Sequence, residues 1–350
     1  MPNQTLSYPQ SAFPPIRALF QQRVEGDQAL LQLARMRFDQ AGLAAEMYAD
    51  TLEQLDRVLS FVPSHECLPV VHLNRKVNVL QARSRAVVEA FGERFAGRVW
   101  GLVVHDNAEM VARENDLLAA MRELGTWLSV RPDGPYLFLE YAVGLELEWF
   151  VEIAERLREV EHVSFCIDVG HIGIRQARHA FFREHPGLDL ATLSPGDKRL
   201  PDLVMDVQSA VGSALPAVVE VAHRLGRLGK PLHFHLHDGH PLIPGLSDHF
   251  SFLTQVPIPF NYGGRWSLSP MYGPAGLSAI VQASIEACGV EQASLTLEIH
   301  QAEGRLPLGD AAGLFRHWRD LTNAERMNYW LSVLAQNTML LTSVLDPYIP

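Results

Sequence analysis

Short runs rich in β-branched and aromatic residues recur along this chain about one helix apart: LPVVHLN (68–74), RVWGLVVHD (98–106), PYLFLEYA (135–142), HVSFCIDVGH (162–171), PLHFHLHD (231–238) and ASLTLEIH (293–300). The segments between them carry apolar residues at helical spacing, as in VNVLQARSRAVVEAFGERFA (77–96), NAEMVARENDLLAAMRELG (107–125) and LELEWFVEIAERLREV (145–160). A strand followed by a helix, repeated, builds a parallel sheet. AAEMYAD (44–50), after the helical DQALLQLARMRFDQAG, adds a seventh strand, and PPIRALF (14–20) a weak eighth. Eight such units close an α/β fold, the (β/α)8 TIM barrel. The expected organisation is one domain over residues 1–350, with a barrel core at about 14–304. The last barrel helix and a C-terminal helical extension occupy about 305–350, and the apolar face of that extension could serve packing or a homo-oligomer interface. Segments 175–230 and 241–274 both follow strands and exceed what a minimal barrel needs. They are expected as long loops over the C-terminal face, where Phe250, Phe260, Tyr262, Trp266 and Tyr272 would shape a small-molecule pocket.

The ends of these strands carry the chemistry. VVHLN brings His72, VVHDN His105, LFLEYA Glu140, FCIDVGH Asp168 and His171, HFHLHD His235, and LTLEIH Glu298. In a parallel barrel all strand C-termini meet at one mouth, so residues far apart in sequence converge there. Imidazoles mixed with carboxylates are a ligand set for Zn, Mn, Fe or Co, and a divalent cation would relieve the cost of burying them together. One metal is expected, with two or three as the alternative. In HFHLHDGH (233–240), alternation turns His233, His235 and His237 to one face and Phe234 and Leu236 to the other. His235 is the ligand expected from this stretch. His237 and Asp238 are expected to touch substrate or orient a ligand, Trp266 to border substrate, and His240 is left open.

Net charge is −11, which weighs against nucleic acid as the main partner and favours a small-molecule substrate. The three cysteines, Cys67, Cys166 and Cys288, show no metal or disulfide spacing, and the N-terminal stretch has no signal-peptide pattern. No uncharged apolar run of membrane length is seen, so a cytoplasmic location without membrane contact is expected.

The ends LEY, DVGH, HLHDG and LEIH resemble the xylose isomerase-like TIM barrel superfamily, which includes sugar isomerases, epimerases and endonuclease IV. The resemblance, over about residues 44–300, implies that Glu140, Asp168, His235 and Glu298 hold one metal, with His171 on the substrate side. Glu140, Glu298 and His171 would be the catalytic residues. The endonuclease IV branch further implies that His72 and His105 bind a first metal with Glu140, and that His171 and His249 bind a third. Ser247 stands where that branch has an aspartate.

Two reactions follow. An isomerase or epimerase would move a proton through a metal-stabilised enediolate on a small sugar, polyol or hydroxy-carbonyl substrate, with Glu140 and Glu298 as proton carriers. A phosphoester hydrolase would use two or three metals and the additional histidines. The chain's acidity and Ser247 favour the isomerase. A barrel that binds metal or metabolite without turnover is the third reading.

Overall fold

The computed structural model describes residues 16–20, 33–34, 36, 38, 44–60, 68–142, 145–193, 197–242, 249–253, 271–299 and 323–348. Eight strands pair in parallel and in chain order: β1 (Ile16–Phe20), β2 (Ala44–Ala49), β3 (Val70–Leu73), β4 (Gly101–His105), β5 (Tyr136–Glu140), β6 (Val163–Asp168), β7 (Leu232–Leu236) and β8 (Ala293–Leu297). β8 closes on β1. The fold is a (β/α)8 barrel, and the weak eighth strand expected near PPIRALF is β1.

Helices α1 (Leu52–Leu59), α2 (Ala82–Arg94), α3 (Glu109–Ala112), α4 (Glu114–Ser129), α5 (Leu147–Arg156), α6 (Val169–Glu184), α7 (Leu200–Gly212), α8 (Ala214–Gly226) and α9 (Gly273–Cys288) alternate with the strands, and α10 (Asn323–Leu345) follows β8. Where one helix was expected over 107–125, the chain breaks at Arg113 into α3 and α4. The stretch 175–230, expected as a covering loop, is largely helix. Its apolar residues recur at helical spacing once the Pro- and Gly-bearing segment before Leu200 is passed, and α8 packs against α5, α6 and α9. Phe260, Tyr262, Trp266, Ser247 and residues 305–322 of the expected last barrel helix lie outside the described residues.

β7 shows how the strands divide their side chains. Leu232, Phe234 and Leu236 join the apolar layer under the helices, whereas His233 and His235 alternate inward, all fully buried. The N-terminal end of the barrel interior is closed by Val70, Trp100, Val103, Phe138 and Cys166. Gly101 makes room for this plug: a Cβ there would come 2.7 Å from Phe138 Cδ2. Above it the interior is polar. Register sets His233 beside Ser294, His105 beside Glu140, and Asp168 beside His235.

Two further ties fix the rim. Asp238 bridges to Phe250 in the backbone, and its carboxylate accepts N–H groups from Gly239, Tyr272 and Gly273 at the start of α9. From α10, Trp330 Nε1 donates to Ile299 O (2.7 Å) and Asn337 Nδ2 to Ser251 Oγ (2.7 Å).

Candidate metal centre

Among the described residues, three overlapping donor sets occupy the C-terminal mouth: His72, His105 and Glu140; Glu140, Asp168, His235 and Glu298; and Asp168, His171, His237 and His249. Within each set the donor atoms all lie within 4.8 Å of one another. Two carboxylates link the sets. Glu140 turns Oε2 to His72 Nε2 (3.0 Å) and His105 Nε2 (3.3 Å), and Oε1 to His235 Nδ1 (3.3 Å). Asp168 turns Oδ1 to His237 Nε2 (2.9 Å), while Oδ2 faces His171 Nδ1 (3.7 Å) and His235 Nδ1 (4.0 Å). Glu298 Oε2 lies 3.1 Å from His235 Nδ1 and 3.5 Å from His249 Nε2. Ligands about 2.1 Å from a common cation stand roughly 3.0–3.4 Å apart, and the spacings of Glu140 to His72, His105 and His235 and of Glu298 to His235 fall in that range.

The imidazoles are oriented for it. A carbonyl oxygen only accepts, so the Nδ1 atoms of His72 and His237 carry protons donated to Leu73 O (3.2 Å) and Asp238 O (2.9 Å). That leaves each Nε2 lone pair turned to the centre. His235 is arranged the other way round, with Nε2–H donating to Glu46 Oε1 (2.8 Å) and Nδ1 facing the second set. Metal-bound histidines characteristically pass their second N–H to a carbonyl or carboxylate in this manner.

Tyr48 donates its hydroxyl to Glu298 Oε1 (2.9 Å), which leaves Oε2 turned to His235. Asp168 Oδ1 also accepts the backbone N–H of His171 (2.7 Å), so the loop from β6 into α6 is built on the donor itself. His105 reaches the surface, with 19% of its side chain exposed, whereas Glu140, Asp168 and His235 are buried. Among the donors, His105 is the most exposed, ahead of His171 and His249.

The charge balance fits a cation. Burial alone would raise the Glu140 pKa, but His105, His72 and His235 around it hold the carboxyl well below the usual range. Burial pushes His105 down to about 4 against the pull of Glu140, whereas the same carboxylate carries His72 upward despite burial. Buried atoms without a hydrogen-bond partner include His72 Nε2, Glu140 Oε2, Asp168 Oδ2 and both ring nitrogens of His171, all members of the donor sets. Buried polar atoms are normally paired, and divalent cations held by the first and third sets would satisfy these. The residues present fit such an ion.

The geometry thus brings together His72, His105, Glu140, Asp168, His171, His235, His249 and Glu298. His237, expected beside substrate, stands in the third donor set. Asp238 holds His237 through its carbonyl oxygen while its carboxylate anchors the rim through backbone N–H groups, and His240 is buried, accepting the N–H of Leu242 (3.3 Å). Sequence reasoning passed over Glu46 and Tyr48, which lie within β2 short of its end. The one available signal was an acid among the apolar residues of AAEMYA.

No protein-family profile matches the chain, and no curated protein matches it. Matching solved structures include the carboxyl transferase domain of Rhizobium etli pyruvate carboxylase with 3-hydroxypyruvate, at 13% identity and a TM-score of 0.40, covering 95% of this chain and 48% of that one. The complete multifunctional pyruvate carboxylase from the same organism matches at 13% identity and a TM-score of 0.39, covering 95% and 28%. This chain spans less than half the length of those it matches. These matches are pyruvate carboxylase structures and not xylose isomerase-like proteins, so the xylose isomerase-like membership expected from the strand ends is not borne out. Acid and imidazole at strand C-termini arise wherever a barrel gathers metal ligands at its mouth, so motifs of three or four residues specify the geometry and not the lineage.

Proposed function

We propose that this chain is a multinuclear divalent-metal enzyme that hydrolyses a small phosphate ester. The observation that carries this reading is the division of Glu140, one oxygen toward His72 and His105 and the other toward His235. A carboxylate so placed serves two adjacent cations. A single-metal isomerase, the reaction favoured from the sequence, needs only Glu140, Asp168, His235 and Glu298. It uses none of His72, His105, His171, His237 or His249 as a metal ligand.

Charge supports the same choice. Glu140, Asp168 and Glu298 bring three negative charges to the donor sets. One divalent cation leaves the centre anionic; two leave it with one positive charge, and three with three. A centre of two or more metals therefore attracts an anion despite the acidity of the chain as a whole. When bound, adjacent cations polarise phosphoryl oxygens and lower the pKa of water. The protein's own part is positional. Leu73 O, Asp238 O and Glu46 orient three imidazoles, Tyr48 turns Glu298, and the buried Glu140 and Asp168 link neighbouring sets.

The test loads purified full-length chain with Zn²⁺ or Mn²⁺, counts metal by elemental analysis, and assays bis(p-nitrophenyl) phosphate and p-nitrophenyl phosphate. Two or three equivalents are expected, with one lost in the double variant His72→Ala/His105→Ala together with ester hydrolysis. A single equivalent in the unmodified chain, unchanged in that variant, would overturn the proposal and return the centre to one-metal chemistry.

A further inference from the structure

Beneath the donor sets, a line of polar side chains crosses the barrel interior. Arg17, fully buried at the N-terminal end, has its guanidinium 4.9 Å from the centre of the Trp100 ring. Its Nη2 and Nε donate to Leu68 O (2.8 and 3.3 Å), and its Nη1 donates to Ser294 Oγ. Ser294 Oγ lies 2.9 Å from His233 Nδ1, His233 Nε2 lies 2.9 Å from Glu46 Oε2, and Glu46 Oε1 lies 2.8 Å from His235 Nε2. Every member is fully buried.

The chemistry of the groups gives this line one direction. A guanidinium can only donate, so Ser294 Oγ must accept from Arg17. Among the described residues His233 Nδ1 is the one acceptor placed for the serine's own proton, and the Glu46 carboxylate facing His233 Nε2 can only accept, so Nδ1 offers its lone pair to Ser294 and the His233 proton is on Nε2 and is donated to Glu46. A carboxylate accepts through both oxygens, so Glu46 also takes the proton of His235 Nε2. The only lone pair left on His235 is Nδ1, the atom facing Glu140 (3.3 Å) and Glu298 (3.1 Å).

We infer that Glu46, which ends a one-directional hydrogen-bond chain running from Arg17 through Ser294 and His233, holds His235 in the tautomer able to ligate metal through Nδ1. Glu46 is the positioning residue; Arg17 and Ser294 fix only the direction in which His233 meets it. The inference rests on the metal-centre reading and adds to it the residue that sets the tautomer of a ligand.

The direction of the chain predicts an unusual pair of variants. In Glu46→Gln, the amide at position 46 accepts with one end and donates with the other. Arg17 and Ser294 still keep His233 a donor, so the amide oxygen must face His233 and the amide N–H must face His235 Nε2. His235 then carries its proton on Nδ1, where it blocks the metal. Affinity at the second donor set should fall at least about tenfold, in the 10–100-fold range typical of lost ligand-orienting partners. Adding Ser294→Ala releases His233, lets the amide turn over, and should restore much of that affinity. Ser294→Ala alone should leave metal content unchanged.

Zinc affinity would be read by competition with a chelating indicator on the full chain. Nitrogen-15 shifts of labelled histidines in the zinc-loaded wild-type chain should show His235 metallated at Nδ1 with a proton on Nε2, and His233 protonated at Nε2. Full zinc retention in Glu46→Gln, a double variant no better than the single, or zinc on His235 Nε2 would each overturn this inference while leaving a multinuclear centre intact. Failure of the wild-type chain to bind any metal would overturn both readings. Should Glu46→Gln not fold, the wild-type nitrogen shifts decide alone.

Discussion

A single methyl group at position 170 offers a way to disturb the third donor set without touching any donor. Gly170 opens α6 directly beneath the His237 ring, and a Cβ there would stand 2.5 Å from His237 Nε2 and nearer still to Cε1 and Nδ1. Non-bonded carbon and nitrogen settle at about 3.5 Å or more, so the ring must retreat by well over 1 Å. It has nowhere to go without breaking contacts: Nδ1 is held by Asp238 O, Nε2 lies 2.9 Å from Asp168 Oδ1, and the His249 ring centre is 3.9 Å away. Coordination tolerates deviations of only about 0.2 Å. Overpacking costs about 1–3 kcal/mol, and the better helix propensity of alanine returns up to about 1 kcal/mol, so Gly170→Ala should lose no more than about 2 kcal/mol. Elemental analysis should show one metal equivalent fewer, and urea unfolding a modestly lower midpoint. Gly212→Ala makes the same chemical change on α7, where an added Cβ meets nothing within 4 Å, and should keep full metal content. Equal metal content in wild type and Gly170→Ala would refute the placement of His237 among the ligands.

Glu140→Ala should cost two metal equivalents because both its oxygens face donor sets, whereas Glu140→Gln, which keeps one accepting oxygen, should cost one; elemental analysis separates the two. His240 tests burial by pH. Burial, followed by the charge of Arg178, holds it at about 3 against 6.5 for the model imidazole. The unfolded chain therefore binds the extra proton between those values, and the contribution is complete above pH 6.5 and lost as pH falls. Wild type should lose about 2 kcal/mol more than His240→Gln between pH 7 and pH 5, read by denaturant unfolding at each pH. Asn337→Ala removes the buried donor to Ser251 Oγ and should destabilise by about 1–3 kcal/mol in the same assay, with weakened metal retention at His249.

How much of this was legible in the sequence depends on where each residue lies along its strand. His72, His105, Glu140, Asp168, His235 and Glu298 are at or next to strand ends, and a parallel barrel sends all such ends to one mouth, so alternation and order sufficed to gather them. Glu46 occupies the third position of β2 and Arg17 the second of β1, well below the mouth. Nothing local marks either as polar filling of the interior. His237 follows the last residue of β7, and its place in the third set is opened by Gly170, a glycine whose purpose appears only when two loops are superposed. Asp238 looked available to a ligand because its partners, Tyr272 and Gly273, lie more than thirty residues downstream. The family likeness misled for the opposite reason, since acid and imidazole at strand ends arise wherever a barrel gathers metal ligands at its mouth.

The ties from α10 carry a consequence for how the protein is made. Ser251 lies two residues after His249 and Ile299 one after Glu298, and both are held by side chains beyond residue 329. A ribosome delivers these anchors after every strand of the barrel has been synthesised. The nascent chain therefore exposes most of its histidines and acids before the mouth has its final shape, and any metal met then would find an unfinished set of ligands. Selective loading would wait until α10 has been made and docked, when the cell's free-metal pool, rather than the order of the strands, would decide which ion binds.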